Sequence, residues 1–336
     1  MRRFRWPGFF RLSVAVFLIF SMLPVFLGCE DEPVKTGWED IPTPDFSGPQ
    51  PGDQEPGARP WRHAGSFYPE DPVELYQGIM GRLRDTGVRE RRAAAAVLTP
   101  HASLRYSGMV QAEVFARITV PEVVVVLASD HALEGSPFAI WGQGPWLVPG
   151  YRVDVRAELV ADLVERFPTL VADEPPFDGH PAELQVLWLP YLNPDAEVVV
   201  IAFHDNSYNH FKGWPLSRVN EAGAQLAGFI SDREAAGEGV LLLTTTDLVH
   251  RELLDVAREQ DAALADLVSR LDVEGLHEYI LDGSITMCGE IPTAVMMATL
   301  RALGHETMEI VAESDSYAGN GNADSVTGYL GGVTWK

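Results

Sequence analysis

Five residues in this chain have side chains that could bind a metal or move protons, and each follows or precedes a recognisable element. His101 ends the run AAAAVLTPH, His131 ends EVVVVLASDH, and Asp247 and His250 end GVLLLTTTDLVH. Cys288 precedes the segment GEIPTAVMMATL. Imidazole, carboxylate and thiolate together offer three chemistries: a transition-metal site, general acid/base work, or a cysteine nucleophile served by a histidine. His180, Glu183 and Gln185, with Tyr106 after the first histidine, are candidates for the wall of the same pocket.

From Trp61 onward apolar runs alternate with amphipathic stretches, the ordering of an α/β domain with helices on both faces of a central sheet. The runs near 93–99, 122–128, 197–203 and 240–245 are continuous Val, Ala, Leu and Ile rather than alternating, which predicts burial on both faces and mostly parallel pairing. Helices are expected from Asp71-Pro72 to Gly87, over 107–118, 157–166, 181–192, 216–236 and 255–271, and from Pro292 to Leu303. The segments 307–312 and 329–335 read as the last strands. Neighbouring parallel strands open their carboxyl ends on one crevice, so residues just beyond them converge regardless of separation in sequence.

The first 28 residues read differently. Four arginines precede the apolar stretch 12–27, which ends in Leu27-Gly28-Cys29 and runs straight into Glu30-Asp31-Glu32. That pattern is an export signal, and its Leu-Gly-Cys ending looks like a bacterial lipobox, implying cleavage before Cys29 and lipid on its sulfur. The expected location is therefore the bacterial cell envelope, facing the periplasm or exterior, with an uncleaved anchor as the alternative. Residues 29–60, rich in Pro, Gly and acids, are expected to be a disordered tether before a single domain at 61–336.

With 336 residues, 46 % of them hydrophobic, the chain can bury one large core. Its net charge of −23 argues against nucleic acid as a partner. Only two cysteines occur, Cys29 and Cys288, so a lipidated Cys29 leaves Cys288 without a disulfide partner. Placed at a helix start, Cys288 is expected to have a lowered pKa. His204 and Asp205 also follow a strand, marked only by position, and His210, His277 and His305 read as structural.

Arg62-His63-Ala64-Gly65-Ser66-Phe67-Tyr68-Pro69, Pro100-His101-Ala102, Tyr106-Ser107-Gly108, Ser129-Asp130-His131, His180 to Gln185, Thr246-Asp247 with His250, and Cys288-Gly289 occur in the order expected of the Memo family. The chain thus resembles that family, which includes the bacterial AmmeMemoRadiSam system protein B, over roughly Trp61 to its end. The resemblance implies a LigB/Memo-like fold, similar to the catalytic subunits of class III extradiol ring-cleaving dioxygenases. It also implies a metal pocket of His101, His131 and Cys288, with Asp247 and His250 beside it and His180 at the rim.

Under that reading the domain holds one transition-metal ion. Iron comes first and copper or zinc are alternatives, because a thiolate is softer than the carboxylate of common non-haem iron sites. His250 would act as acid/base and Asp247 would orient it, in a dioxygenase-like or other redox enzyme acting on a small molecule or peptide in the crevice. Two alternatives differ in class: a metal-free Cys288–His250–Asp247 acyl transferase or hydrolase, and a non-enzymatic module that binds a peptide partner.

Overall fold

Why the continuous apolar runs become buried strands is visible in how their side chains divide. In a computed structural model of the chain, β1 (Arg92–Thr99), β3 (Val123–Asp130), β8 (Glu197–His204) and β9 (Val240–Thr245) each send alternate residues to opposite sides of one sheet. Leu98, Val125, Ile201 and Leu242 enter one core, and Val97, Val126, Val200 and Leu243 the other. A helical layer covers each face, so neither side of the sheet can be polar. Full burial of such side chains contributes about 1.5–3 kcal/mol each.

The structure describes Trp38 and residues 46–49, 55–205, 210–282 and 285–336. Further strands are β2 (Ile118–Thr119), β4 (Phe138–Ile140), β5 (Trp146–Val148), β6 (Tyr151–Val153), β7 (Val171–Ala172), β10 (Glu309–Asp315) and β11 (Gly328–Trp335). The sheet order is β10-β11-β1-β9-β3-β8-β4-β7, with β2 beside β1 and a separate β5-β6 hairpin. Its centre, β1-β9-β3-β8, is parallel; β11 and β10 on one side and β4 on the other join antiparallel. The chain leaves β1, passes over to β3 and β8, and returns as β9 between β1 and β3. The carboxyl ends of four neighbouring parallel strands therefore point to one place.

The helices are α1 (Pro72–Asp85), α2 (Leu104–Phe115), α3 (Ala157–Arg166), α4 (His180–Val186), α5 (Leu189–Leu192), α6 (Leu216–Ala235), α7 (Leu254–Ser269), α8 (Val273–Asp282), α9 (Glu290–Ala302) and α10 (Tyr317–Asn320). Helices α6, α8 and α9 pack in the first core, and α1, α2 and α4 in the second. Asp71 caps α1, its carboxylate accepting from the Val73 and Glu74 amides at 3.0 and 2.8 Å, with Pro72 in the first turn. The helix expected over 181–192 is two, α4 and α5: Pro190 brings no amide proton, and its ring cannot continue a helix running through Val186. The strands β4 to β7, of two or three residues each, have too few residues to show a period.

The domain starts before Trp61. Arg59 is 1 % exposed, its amide donates to the Pro145 carbonyl at 2.8 Å, and its guanidinium lies 4.4 Å over the Trp146 ring. Trp38 is buried against Arg91, and Phe46 packs edge-on to Tyr76. Those described residues within 29–60 are thus attached to the domain rather than free of it. The expected export signal at 1–28, with Cys29, lies outside the described residues. Among the described residues no helix is long and apolar enough to cross a membrane.

Candidate metal centre

The strand-end histidines meet. His101 is fully buried beyond β1, and its Nε2 lies 3.0 Å from the Cys288 sulfur. The rings of His101 and His131 are 5.0 Å apart between centroids, those of His131 and His180 also 5.0 Å, and those of His101 and His180 5.6 Å. Two sets of donors have all their ligand atoms within 4.8 Å of one another: His101, His131 and His180, and His101, Asp247 and Cys288. His101 belongs to both, so it is the hinge of the site. His180, expected at the rim, therefore stands close enough to be a further donor.

Each donor is aimed by its surroundings. His101 Nδ1 is 3.0 Å from the Thr245 hydroxyl at the end of β9. Gln185 on α4 fixes that hydroxyl by donating to it at 2.9 Å, while also donating to the Pro100 carbonyl and accepting from Thr99. Such outer contacts set ring orientation and tautomer. The Asp247 carboxylate accepts the His101 and Ala102 amides at 2.9 and 3.3 Å, tying the β1 loop to the β9 loop. His250 Nδ1 lies 2.8 Å from the Thr286 carbonyl, which requires a proton on that nitrogen. Nε2 is then the nitrogen turned to the Cys288 sulfur at 3.7 Å and to Asp247 at 4.0 Å.

Cys288 is held by backbone. Its amide donates to the Asp247 carbonyl at 3.2 Å, and Thr246 donates its hydroxyl to the Cys288 carbonyl. Gly289 follows at φ +85°, and a Cβ there would come within 2.6 Å of the Thr245 carbonyl oxygen. Only glycine fits both the backbone angle and the space. On the other strand end, Asp130 accepts the amides of Ala132 and Glu134 at 3.0 Å and pairs with His204 at 3.2 Å, which turns the loop carrying His131.

Electrostatics correct one expectation. Burial, and next the Asp247 charge, push the Cys288 thiol well above its ordinary range rather than below it. The amides at the start of α9, expected to favour thiolate, are taken: Gly289 and Ile291 donate to the buried Asp205 carboxylate at 3.2 and 2.7 Å. Asp205 is thus a positioning residue for the Cys288 turn, and no local sequence signal ties it to α9. Burial lowers the histidines, His101 well below its ordinary range, His131 to about 4 and His180 to about 2, so all three rings are neutral near pH 7. Burial raises Asp247 to about 7.

Neutral imidazoles are the form that binds a metal, and a buried thiol gains most from a cation beside it. His131 Nε2 is buried without a hydrogen-bond partner among the described residues, beside the directed rings of His101 and His250. A donor set of imidazoles, one sulfur and a nearby carboxylate fits a transition-metal ion.

Two other residues sit elsewhere. Glu183 is wholly buried and faces away from the crevice: it pairs with Arg59, accepts from Tyr68 at 2.5 Å, and accepts the His63 and Arg62 amides at 2.9 and 3.1 Å. It thereby fixes the segment that lays Phe67 on the His180 ring, centroids 4.3 Å apart. Tyr106 packs on Gly319 of α10, near Tyr329, on the Asp247 side of the site.

Sequence comparison agrees with this architecture. The Memo-like protein family profile matches residues 59–333, starting at the buried Arg59. The chain belongs to the Memo family. It is 29 % identical to a MEMO1 family protein of Aquifex aeolicus over 270 residues, 80 % of this chain and 96 % of that one. Similar relatives are MEMO1 family proteins of Methanobrevibacter smithii, 26 % identical over 80 % of this chain and 97 % of its own, and Methanopyrus kandleri, 28 % over 79 % and 95 %.

Proposed function

We propose that this protein holds one transition-metal ion, iron in the first place, between His101, His131 and Cys288, and acts as a metal-dependent redox or dioxygenase-like enzyme on a small molecule entering the crevice. The observation that carries the reading is the 3.0 Å approach of His101 Nε2 to a buried, unpaired cysteine sulfur, with an unpartnered His131 nitrogen alongside. A bound ion supplies Lewis acidity and, if iron or copper, one-electron chemistry.

The chain's own residues do the rest. His250 Nε2, its tautomer set by Thr286, is placed to accept or return a proton of a bound substrate. Asp247 holds the β1 loop and lies 4.0 Å from that nitrogen. Phe67, stacked on His180, excludes water from one side of the histidine cluster. A metal-free nucleophilic role for Cys288 is disfavoured by its raised pKa, since the thiolate is the reactive form.

Loading the site tests this reading. Because the histidines are already neutral and Cys288 is a thiol, adding Zn²⁺ or Fe²⁺ to metal-depleted protein near pH 7 is expected to release about one proton per ion bound. Apparent affinity should fall about tenfold for each pH unit below the thiol's pKa. A pH-stat titration measures both; saturation without proton release would contradict a cysteine ligand.

The Leu27-Gly28-Cys29 motif supports placing the domain outside the cytoplasm on a lipid anchor. Radiolabelled palmitate fed to producing bacteria should enter the wild-type chain and be absent from Cys29→Ala.

A further inference from the structure

Tyr329 is 3 % exposed, yet its hydroxyl makes no hydrogen bond among the described residues. It stands where β11 bridges to Asp247, and it lines a cleft of about 470 Å³ that the metal donors do not enter. The other walls are Leu248, Arg258 and Asp261 from the β9–α7 region, with Glu313 and Asp315 from β10. That volume suits a small organic ligand.

The cleft is electronegative and shaped. Asp261 Oδ1 accepts the Val249 amide at 3.2 Å. Its second oxygen lies over Gly328, where any Cβ would collide with the carboxylate, so a glycine in β11 makes room for this acid. Asp315 accepts the Ala318 amide at 3.2 Å and Arg258 Nε at 3.0 Å, so the one cation that lines the cleft is paired with Asp315. Glu313 is exposed at the mouth. Burial, with Asp315 and Glu313 nearby, raises Asp261 to about 7, while the Arg258 guanidinium is paired with Asp315.

A bare metal ion does not fit, because the donor sets close enough to share an ion among the described residues are both at the histidine–cysteine centre. The carboxylates here are spread along the walls that Tyr329 also lines. An ammonium group has three N–H donors, enough for the free Asp261 oxygen and the Tyr329 oxygen together.

We propose that this cleft is a second ligand site, separate from the metal centre, that binds a small organic cation bearing a primary ammonium through Asp261 and Tyr329, with Glu313 attracting the cation's far end.

Calorimetric titration of the full chain in detergent tests it, with 1,4-diaminobutane as probe and the neutral 1,4-butanediol as comparison. The diamine is expected to bind once per chain and the diol not to bind. Asp261→Asn, which keeps the Val249 contact, should weaken diamine binding at least about tenfold, and Tyr329→Phe several-fold. Cys288→Ala should bind the diamine as wild type does, which separates this cleft from the metal reading. No diamine binding, equal binding of the diol, or unchanged affinity in Asp261→Asn would each overturn the proposal. If the buried variants unfold, Glu313→Gln, altered at the exposed mouth, must still weaken binding, and wild-type affinity there overturns it.

Discussion

Cys288→Ala and His101→Ala, purified beside the wild type without a histidine tag, are expected to carry less than about a tenth of its metal, measured by elemental analysis as ions per chain. These two residues face each other at 3.0 Å; His101 belongs to both donor sets, so its loss breaks both, and the loss of Cys288 removes the one sulfur donor among them. His180→Ala is expected to do less, because His101, Asp247 and Cys288 remain together. Thr245→Val should also do less: it removes the hydroxyl that orients His101, and losing such a contact weakens binding by about 10–100-fold rather than abolishing the site. A graded order follows, with His101 first because both donor sets depend on it, and Cys288 next because it brings the only sulfur to them. Equal metal content in all four variants would mean that the ion is held elsewhere.

The second large effect is on stability. Glu183→Ala is expected to lose about 3–5 kcal/mol, because it leaves the Arg59 guanidinium buried without its partner. For a domain of this size that is a fall in melting temperature of about 10 °C. Burial by itself would raise the Glu183 pKa; Arg59 and Tyr68 outweigh it and bring it below the ordinary range, so the carboxylate is charged at neutral pH. Removing both partners, as Arg59→Met with Glu183→Leu, should cost less than the single change, since no lone charge stays in the core. Thermal unfolding of the single and the double variant measures this difference. The same loss frees the His63 and Arg62 amides, so Phe67 should leave the His180 ring even where the metal donors keep their places.

These two predictions divide along what could be read in the sequence. His101, His131 and Asp247 were legible because a short run rich in Val, Ala and Leu reads as a strand buried on both faces, and a polar residue after it emerges at the carboxyl edge. Cys288 follows no strand: it reaches the site through a β9-loop bridge at Asp247, and only the likeness to the Memo family connected it to the two histidines. Its protonation was misread because a helix start implies free amides, while here Asp205, more than eighty residues earlier, accepts them. Glu183 was misplaced for a related reason. Its partner Arg59 lies in a stretch whose composition reads as tether, and composition says nothing about which of its residues is buried. The antiparallel flanks, built from β4, β10 and β11, were not legible as such because strand direction is a property of connections rather than of residues.

X-ray absorption of the metal-loaded protein tests the central claim most directly. One sulfur at about 2.3 Å and two or three nitrogen or oxygen neighbours near 2.0–2.1 Å are expected around the ion, with the sulfur shell gone in Cys288→Ser. A first shell of nitrogen and oxygen alone in the wild type would contradict the site proposed here.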